Sequence, residues 1–207
     1  MPFTTAIIDS FNRANETPIA SPWVKFDTDF AFANLASNQL TADVTVNDHW
    51  LVHTGTLFNA DQEAYMTHVA TTNSEGVILR ANNVNTATPT GYMIEIVSNT
   101  SWEIATWNGT SYVVIATGAV THTTGQQIGG RAIGNVIEAW HTVAGVWTLL
   151  GSVVNNTYLT TGYIGINMSS NVSAIADDFG GGSIPSNDNY RIRNSRAKGA
   201  RANRKHR

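Results

Sequence analysis

With 207 residues, 42% of them hydrophobic and only 13% charged, this chain has the composition of a globular protein and not of a disordered one. It contains no cysteine, which excludes disulfides and thiolate metal sites and fits a reducing site of synthesis. The net charge of −3 hides a division: Arg191 to Arg207 hold eight of the 12 basic residues and no acid, while residues 1–190 hold four basic residues against all 15 acids.

From the N-terminus, Met1-Pro2-Phe3-Thr4-Thr5 offers neither a basic region nor a long apolar stretch, so no secretory signal is expected. No later run approaches the ~18 apolar residues of a membrane-spanning helix, so no membrane contact is expected. Helical periodicity is nearly absent. Short apolar or alternating runs recur instead, bounded by Gly, Asn, Pro and Ser, and they predict strands. In chain order these cover 5–11, 23–26, 30–33, 39–42, 50–53, 63–70, 76–81, 92–97, 101–107, 111–117, 127–133, 136–143, 146–153, 162–168 and 174–179. Asn108-Gly109 and Gly134-Asn135 sit between such runs and read as hairpin turns. Many short strands at this spacing predict an all-β sandwich or barrel. After Phe179, Gly180-Gly181-Gly182-Ser183 reads as a flexible linker. The expected division is a β-sandwich domain over 1–184 and a linker with a basic arm over 185–207.

Several stretches carry a family pattern. Asp9-Ser10-Phe11-Asn12-Arg13 resembles the opening of concanavalin A-like, laminin-G-like jelly-roll modules. Gly76-Val77-Ile78-Leu79-Arg80-Ala81, Gly91-Tyr92-Met93-Ile94-Glu95-Ile96, the hairpin Gly134-Asn135-Val136-Ile137-Glu138-Ala139-Trp140, Gly162-Tyr163-Ile164-Gly165-Ile166 and the closing Asp177-Asp178-Phe179 follow in the order such modules use. The resemblance covers roughly residues 4–182. It implies a two-sheet antiparallel jelly roll of twelve to fourteen strands, with Asp9–Phe11 beside Asp177–Phe179. It also implies the settings where such modules recur, namely bacteriophage virion proteins, lectins and carbohydrate-binding appendages. The basic arm has no counterpart in that pattern.

The candidate chemistry is that of binding. Catalysis is not expected: glucanases of the family carry three acids as E-x-D-x-x-E on one strand, and nothing here matches. Glu95 and Glu103 each stand alone among apolar neighbours on their expected strands. His49 and His53 would share a strand face ~13 Å apart, too far for one ion, and His68, His122 and His141 read as isolated. If the terminal strands pair, Asp9, Asp177 and Asp178 could hold Ca²⁺, a hard cation that seeks oxygen ligands; otherwise they hydrogen-bond turns or pair with Arg13. Trp102, Trp107, Trp140 and Trp147 are candidate platforms for sugar rings. The odd spacing of Trp102 and Trp107 points them to opposite sheet faces, so that one of them is expected in the core.

The arm is the candidate partner-binding element, through Arg191, Arg193, Arg196, Lys198, Arg201, Arg204, Lys205 and Arg207. Nucleic acid is the weaker partner, since aromatic residues for base stacking are missing beyond Tyr190. An acidic protein surface is the stronger one. The expected function is therefore a non-enzymatic structural protein, multimeric in its setting, that attaches through the arm to a larger assembly. A virion is the setting inferred, as a capsid decoration or tail accessory protein made in the cytoplasm. The alternative is a carbohydrate-binding, lectin-like module.

Overall fold

A computed structural model describes residues 3–42, 47–70, 74–170 and 173–185. The described residues form fifteen strands and no helix. Four short strands come first: β1 (Ile7–Asp9), β2 (Trp23–Lys25), β3 (Asn34–Ala36) and β4 (Gln39–Thr41). Longer ones follow as β5 (His49–Phe58), β6 (Gln62–His68), β7 (Glu75–Asn82), β8 (Thr90–Ser98), β9 (Ser101–Trp107) and β10 (Tyr112–Ala119). The last five are β11 (Gln127–Ile133), β12 (Val136–Val143), β13 (Val146–Val154), β14 (Gly162–Met168) and β15 (Ile175–Ser183).

The strands pair antiparallel in two sheets. One runs β13-β12-β11-β6-β15-β4-β3, with β1 also on β15, and the other runs β10-β9-β8-β7-β14-β5-β2. The first and last strands lie side by side as the resemblance implies, with Ile7 opposite Gly180 and Asp9 opposite Phe179. Alternation along each strand sends one set of side chains between the sheets, where Leu79, Tyr92, Ile94, Trp102, Ile104, Ile137, Ile166 and Phe179 form the main core. A second cluster lies on the other side of the seven-stranded sheet, where Trp50, Ile78, Met93 and Ala105 are covered by Phe26 and Phe30. Ala144 and Gly145, with φ of 51° and 76°, close β12 onto β13 in a two-residue loop of the type that matches strand twist.

Two expectations fail locally. Residues 30–33 form no strand, because Asp27 folds the preceding chain into a turn: its carboxylate accepts from Asp29 N at 3.1 Å and its carbonyl from Phe30 N at 3.3 Å. Gly180-Gly181-Gly182-Ser183 is not a linker but the second half of β15, paired with β6 and largely buried. The glycines are there for close approach. A Cβ at Gly180 would lie 2.2 Å from the Tyr65 ring, and one at Gly181 would lie 2.4 Å from the Glu63 carbonyl.

Arg80 ties the loops at one end together. Its fully buried guanidinium donates to the carbonyls of Ala60 at 2.8 Å, Tyr158 at 2.6 Å and Gly134 at 2.7 Å. Three neutral acceptors satisfy the cation, and the Asp61 charge nearby favours it.

Candidate functional site

The outer face of the seven-stranded sheet carries a row of directly opposed residues. Glu103 on β9 faces Glu95 on β8, Glu95 faces Gly76 on β7, Gly76 faces Asn167 on β14, and Asn167 faces Trp50 on β5. Direct partners in antiparallel strands project to the same face, so these side chains line up across the sheet. Gly76 contributes none, and a Cβ there would lie 1.9 Å from the Ile94 carbonyl oxygen, so the close approach of β7 to β8 requires glycine.

Above this floor is a cavity of about 270 Å³ bounded by Phe30, Trp50, Trp107 and Tyr112, with Asp48, Ser74, Glu95 and Glu103 supplying polar groups. The aromatic rings pack at angles to one another: Phe30 and Trp50 are 4.6 Å apart, Trp50 and Trp107 5.6 Å, and Phe30 and Trp107 5.8 Å between centroids. Tyr112 donates its hydroxyl hydrogen to Glu103 Oε1 at 2.5 Å. Glu95 is only 2% exposed, and its Oε1 has no protein partner. Burial, reinforced by Glu103 across the ladder, pushes its pKa up to about 8, so it is protonated at neutral pH. Burial likewise raises Tyr112 and Asp48. The indole Nε1 of Trp107 is also buried without a protein partner. A concave apolar site with few convergent polar groups is the usual form of a small-ligand site, and at about 270 Å³ this one lies just below the usual range of about 300–1,000 Å³.

The four tryptophans singled out in the sequence fall in three places. Trp102 is 5% exposed in the inter-sheet core, where a Cβ at Gly151 or Gly118 would strike its ring, so it offers no face to a sugar. Trp107 points the other way, into the cavity, as the odd spacing requires. Trp140 and Trp147 share the outer face of the eight-stranded sheet, but Trp147 lies opposite Thr142 and Trp140 opposite Leu149, so they are one pair out of register. Phe3 lies over both, at 4.1 Å from Trp147 and 6.5 Å from Trp140.

Asp9, Asp177 and Asp178 are drawn together by the β1–β15 pairing, and Asp9 helps raise the pKa of half-buried Asp177, after burial and Asp178. The Asp9 carboxylate is already engaged: Oδ1 accepts from Phe11 N at 2.8 Å and Arg13 Nη1 at 2.7 Å, and Oδ2 accepts from Trp23 Nε1 at 2.8 Å. That is the turn-and-Arg13 arrangement. Among the described residues, no group of three or more His, Asp or Glu side chains is placed to hold a metal ion.

The histidines are not isolated. His122 stacks between His68 and His141 at 5.1 and 5.9 Å, and His68 Nε2 pairs with Glu75 Oε2. Burial first, and the neighbouring imidazoles second, pull His122 down to about 3. Nor do Glu95 and Glu103 stand alone, since they face each other across β8 and β9. The eight cations from Arg191 to Arg207 lie outside the described residues.

No family model matches this chain, and no curated protein matches it in sequence. Solved structures do match in shape. The exoplasmic/lumenal domain of VIP36 in its Ca²⁺-bound form superposes with a TM-score of 0.59 at 8% identity, over 87% of this chain and 90% of that one. A galectin-like protein of unknown function from Bacillus subtilis gives 0.52 at 10% identity, over 70% and 81%. A Bacteroides ovatus xyloglucan-locus protein, GH43B, gives 0.52 at 16% identity, over 88% of this chain but only 40% of that one. The fold is thus a concanavalin A-like jelly-roll β-sandwich. Nothing in these comparisons points to a virion.

Proposed function

We propose that this chain is a carbohydrate-binding module, and that it binds sugar in the cavity over Glu95 and Glu103. The observation that carries the reading is the convergence of Phe30, Trp50, Trp107 and Tyr112 with three carboxyl groups on one exposed cavity of a lectin-like jelly roll. Aromatic faces can stack on the apolar face of a sugar ring, while carboxyl groups accept from its hydroxyls and protonated Glu95 donates to its oxygens. A cavity of about 270 Å³ suits one sugar unit at a time. Two of the neighbours are linked to sugars: VIP36 was also solved in Ca²⁺/Man2-bound form, and GH43B comes from a xyloglucan locus.

The reading involves binding without catalysis. Glu95 and Glu103 are the pair that glycoside hydrolysis would call on, so release of reducing ends is the readout that separates hydrolysis from binding. Screening the labelled protein on a glycan array, with and without Ca²⁺, tests the proposal against its Trp107→Ala variant. A defined set of glycans bound by the parent and lost by the variant supports it, with no reducing ends released. Binding that survives Trp107→Ala, or no binding under either condition, overturns it.

A further inference from the structure

All four cations of the sandwich domain are committed away from the cavity. Arg13 pairs with Asp9 and Glu16, Lys25 donates to the Thr28 carbonyl, Arg80 is held by three carbonyls, and Arg131 lies against Glu63 and Glu138. None of them lines the cavity, although three carboxyl groups, Asp48, Glu95 and Glu103, do. Such a concentration of acids is costly to bury as anions, a cost that Glu95 avoids by keeping its proton and that a bound cation would offset. Here the acids are set among rings. Trp50, Trp107 and Phe30 line the cavity, and aromatic rings attract cations by their quadrupoles, Trp most strongly. The nearly fully buried Glu95 lines the cavity with Oε1 unpartnered; protonated in the empty site, it becomes an acceptor when a cation beside it draws off its proton.

Acids and rings in combination select among ligands. Anionic sugars, whether uronates or sulfated, would meet three carboxyl groups without a counter-charge and are disfavoured. A hard metal ion is not what this arrangement suits, since the walls are largely aromatic and the described residues offer no metal-holding group. An organic ammonium fits both halves of the site: its N–H donors meet carboxyl oxygens and its charge lies against indole and phenyl faces.

Accepting the cavity as the sugar site proposed above, we infer that its ligand is a cationic amino sugar, with the ammonium held by Glu95 and Glu103 inside the Trp50–Trp107–Phe30 cage. The carboxyl pair supplies the preference for a charged ligand, on top of the stacking and hydrogen bonds shared with neutral sugars.

Three tetrasaccharides of the same β-1,4 backbone separate the two halves: the glucosamine tetramer, its N-acetylated form and the glucose tetramer. Calorimetric titrations of the full chain near pH 6, where the amine is charged, are expected to show the glucosamine tetramer bound about tenfold more tightly than either neutral one. Glu95→Gln and Glu103→Gln are each expected to bring that ratio below about threefold, the ratio being read within each variant so that any change in neutral affinity cancels. Because two separate variants are used, failure of one to fold leaves the other to decide. Equal affinity for charged and neutral tetramers, or a preference that survives both variants, overturns this inference and leaves sugar binding standing. If the array shows sugar binding and none of these tetramers binds, the inference likewise falls alone. Loss of both the array signal and the tetramer binding removes sugar binding with it.

Discussion

Replacing Glu95 by Gln isolates what it means to bury a carboxyl group on the face of this sheet. Folding pushes its pKa from the ordinary 4.5 to about 8, through burial first and the Glu103 and Asp48 charges after it. The unfolded chain therefore releases this proton near pH 4.5 while the folded chain keeps it. A group raised in this way contributes stability fully present below the unfolded pKa and lost as pH rises through the folded one. Over the whole span, at about 1.4 kcal/mol per pH unit, the loss approaches roughly 5 kcal/mol. Below pH ~6.5 the depressed histidines His53, His122 and His141 act in the opposite sense, so the interpretable window is about pH 6.5 to 8. There Glu95 alone should account for roughly 2 kcal/mol. The assay is urea unfolding followed by tryptophan fluorescence at half-unit steps of pH, for parent and Glu95→Gln. Subtracting the two curves cancels Glu75 and Asp177, which are also raised by burial. The variant is expected to gain about 2 kcal/mol on the parent across the window, whatever their offset at pH 6.5. Parallel curves would refute the claim that Glu95 is buried and protonated.

Three further expectations concern the scaffold. His122 is held neutral between His68 and His141, so the parent should lose stability as pH falls from about 6.5 toward 3, by up to ~1.4 kcal/mol per pH unit for this group; His122→Phe, which keeps a planar ring, should move the acid-unfolding midpoint to lower pH. Gly181→Ala drives a methyl group against the Glu63 carbonyl and should cost about 1–3 kcal/mol by urea midpoint, whereas a linker would tolerate the change. Arg80→Lys replaces a fork reaching three carbonyls by a single ammonium, and should cost about 1–3 kcal/mol for each carbonyl left unpaired, read as a fall in thermal midpoint.

Period-2 alternation and turn residues were enough to read almost every long strand, and the family pattern was enough to foresee the pairing of β1 with β15. Both are local or ordered signals that a single chain displays. The site was less legible because it depends on register. The loop at Asn99-Thr100 pairs Ser98 with Ser101, and continuing that register would place Glu95 opposite Ile104, on the wrong face for Glu103. A bulge between Ile96 and Ser98 slips the ladder by one and sets Glu95 against Glu103. No residue type announces that bulge. Trp50 and Phe30 come to the cavity across strands far away in sequence, and the three-histidine stack is likewise assembled by long-range packing. The glycine run misled for a related reason: composition reports flexibility, while the crowding of Tyr65 and Glu63 that demands glycine is visible only once β15 lies beside β6.

The claim that sugar enters the cavity beside Trp107 can be tested most directly on the indoles themselves. With six tryptophans, the ¹⁵N-labelled protein gives six indole N–H signals that single substitutions assign. On titration with a glycan found on the array, the signals of Trp50 and Trp107 should shift while those of core Trp102 and Trp23 stay in place. Shifts confined to Trp140 and Trp147, on the opposite sheet, or no indole shift at saturating glycan, would contradict the account.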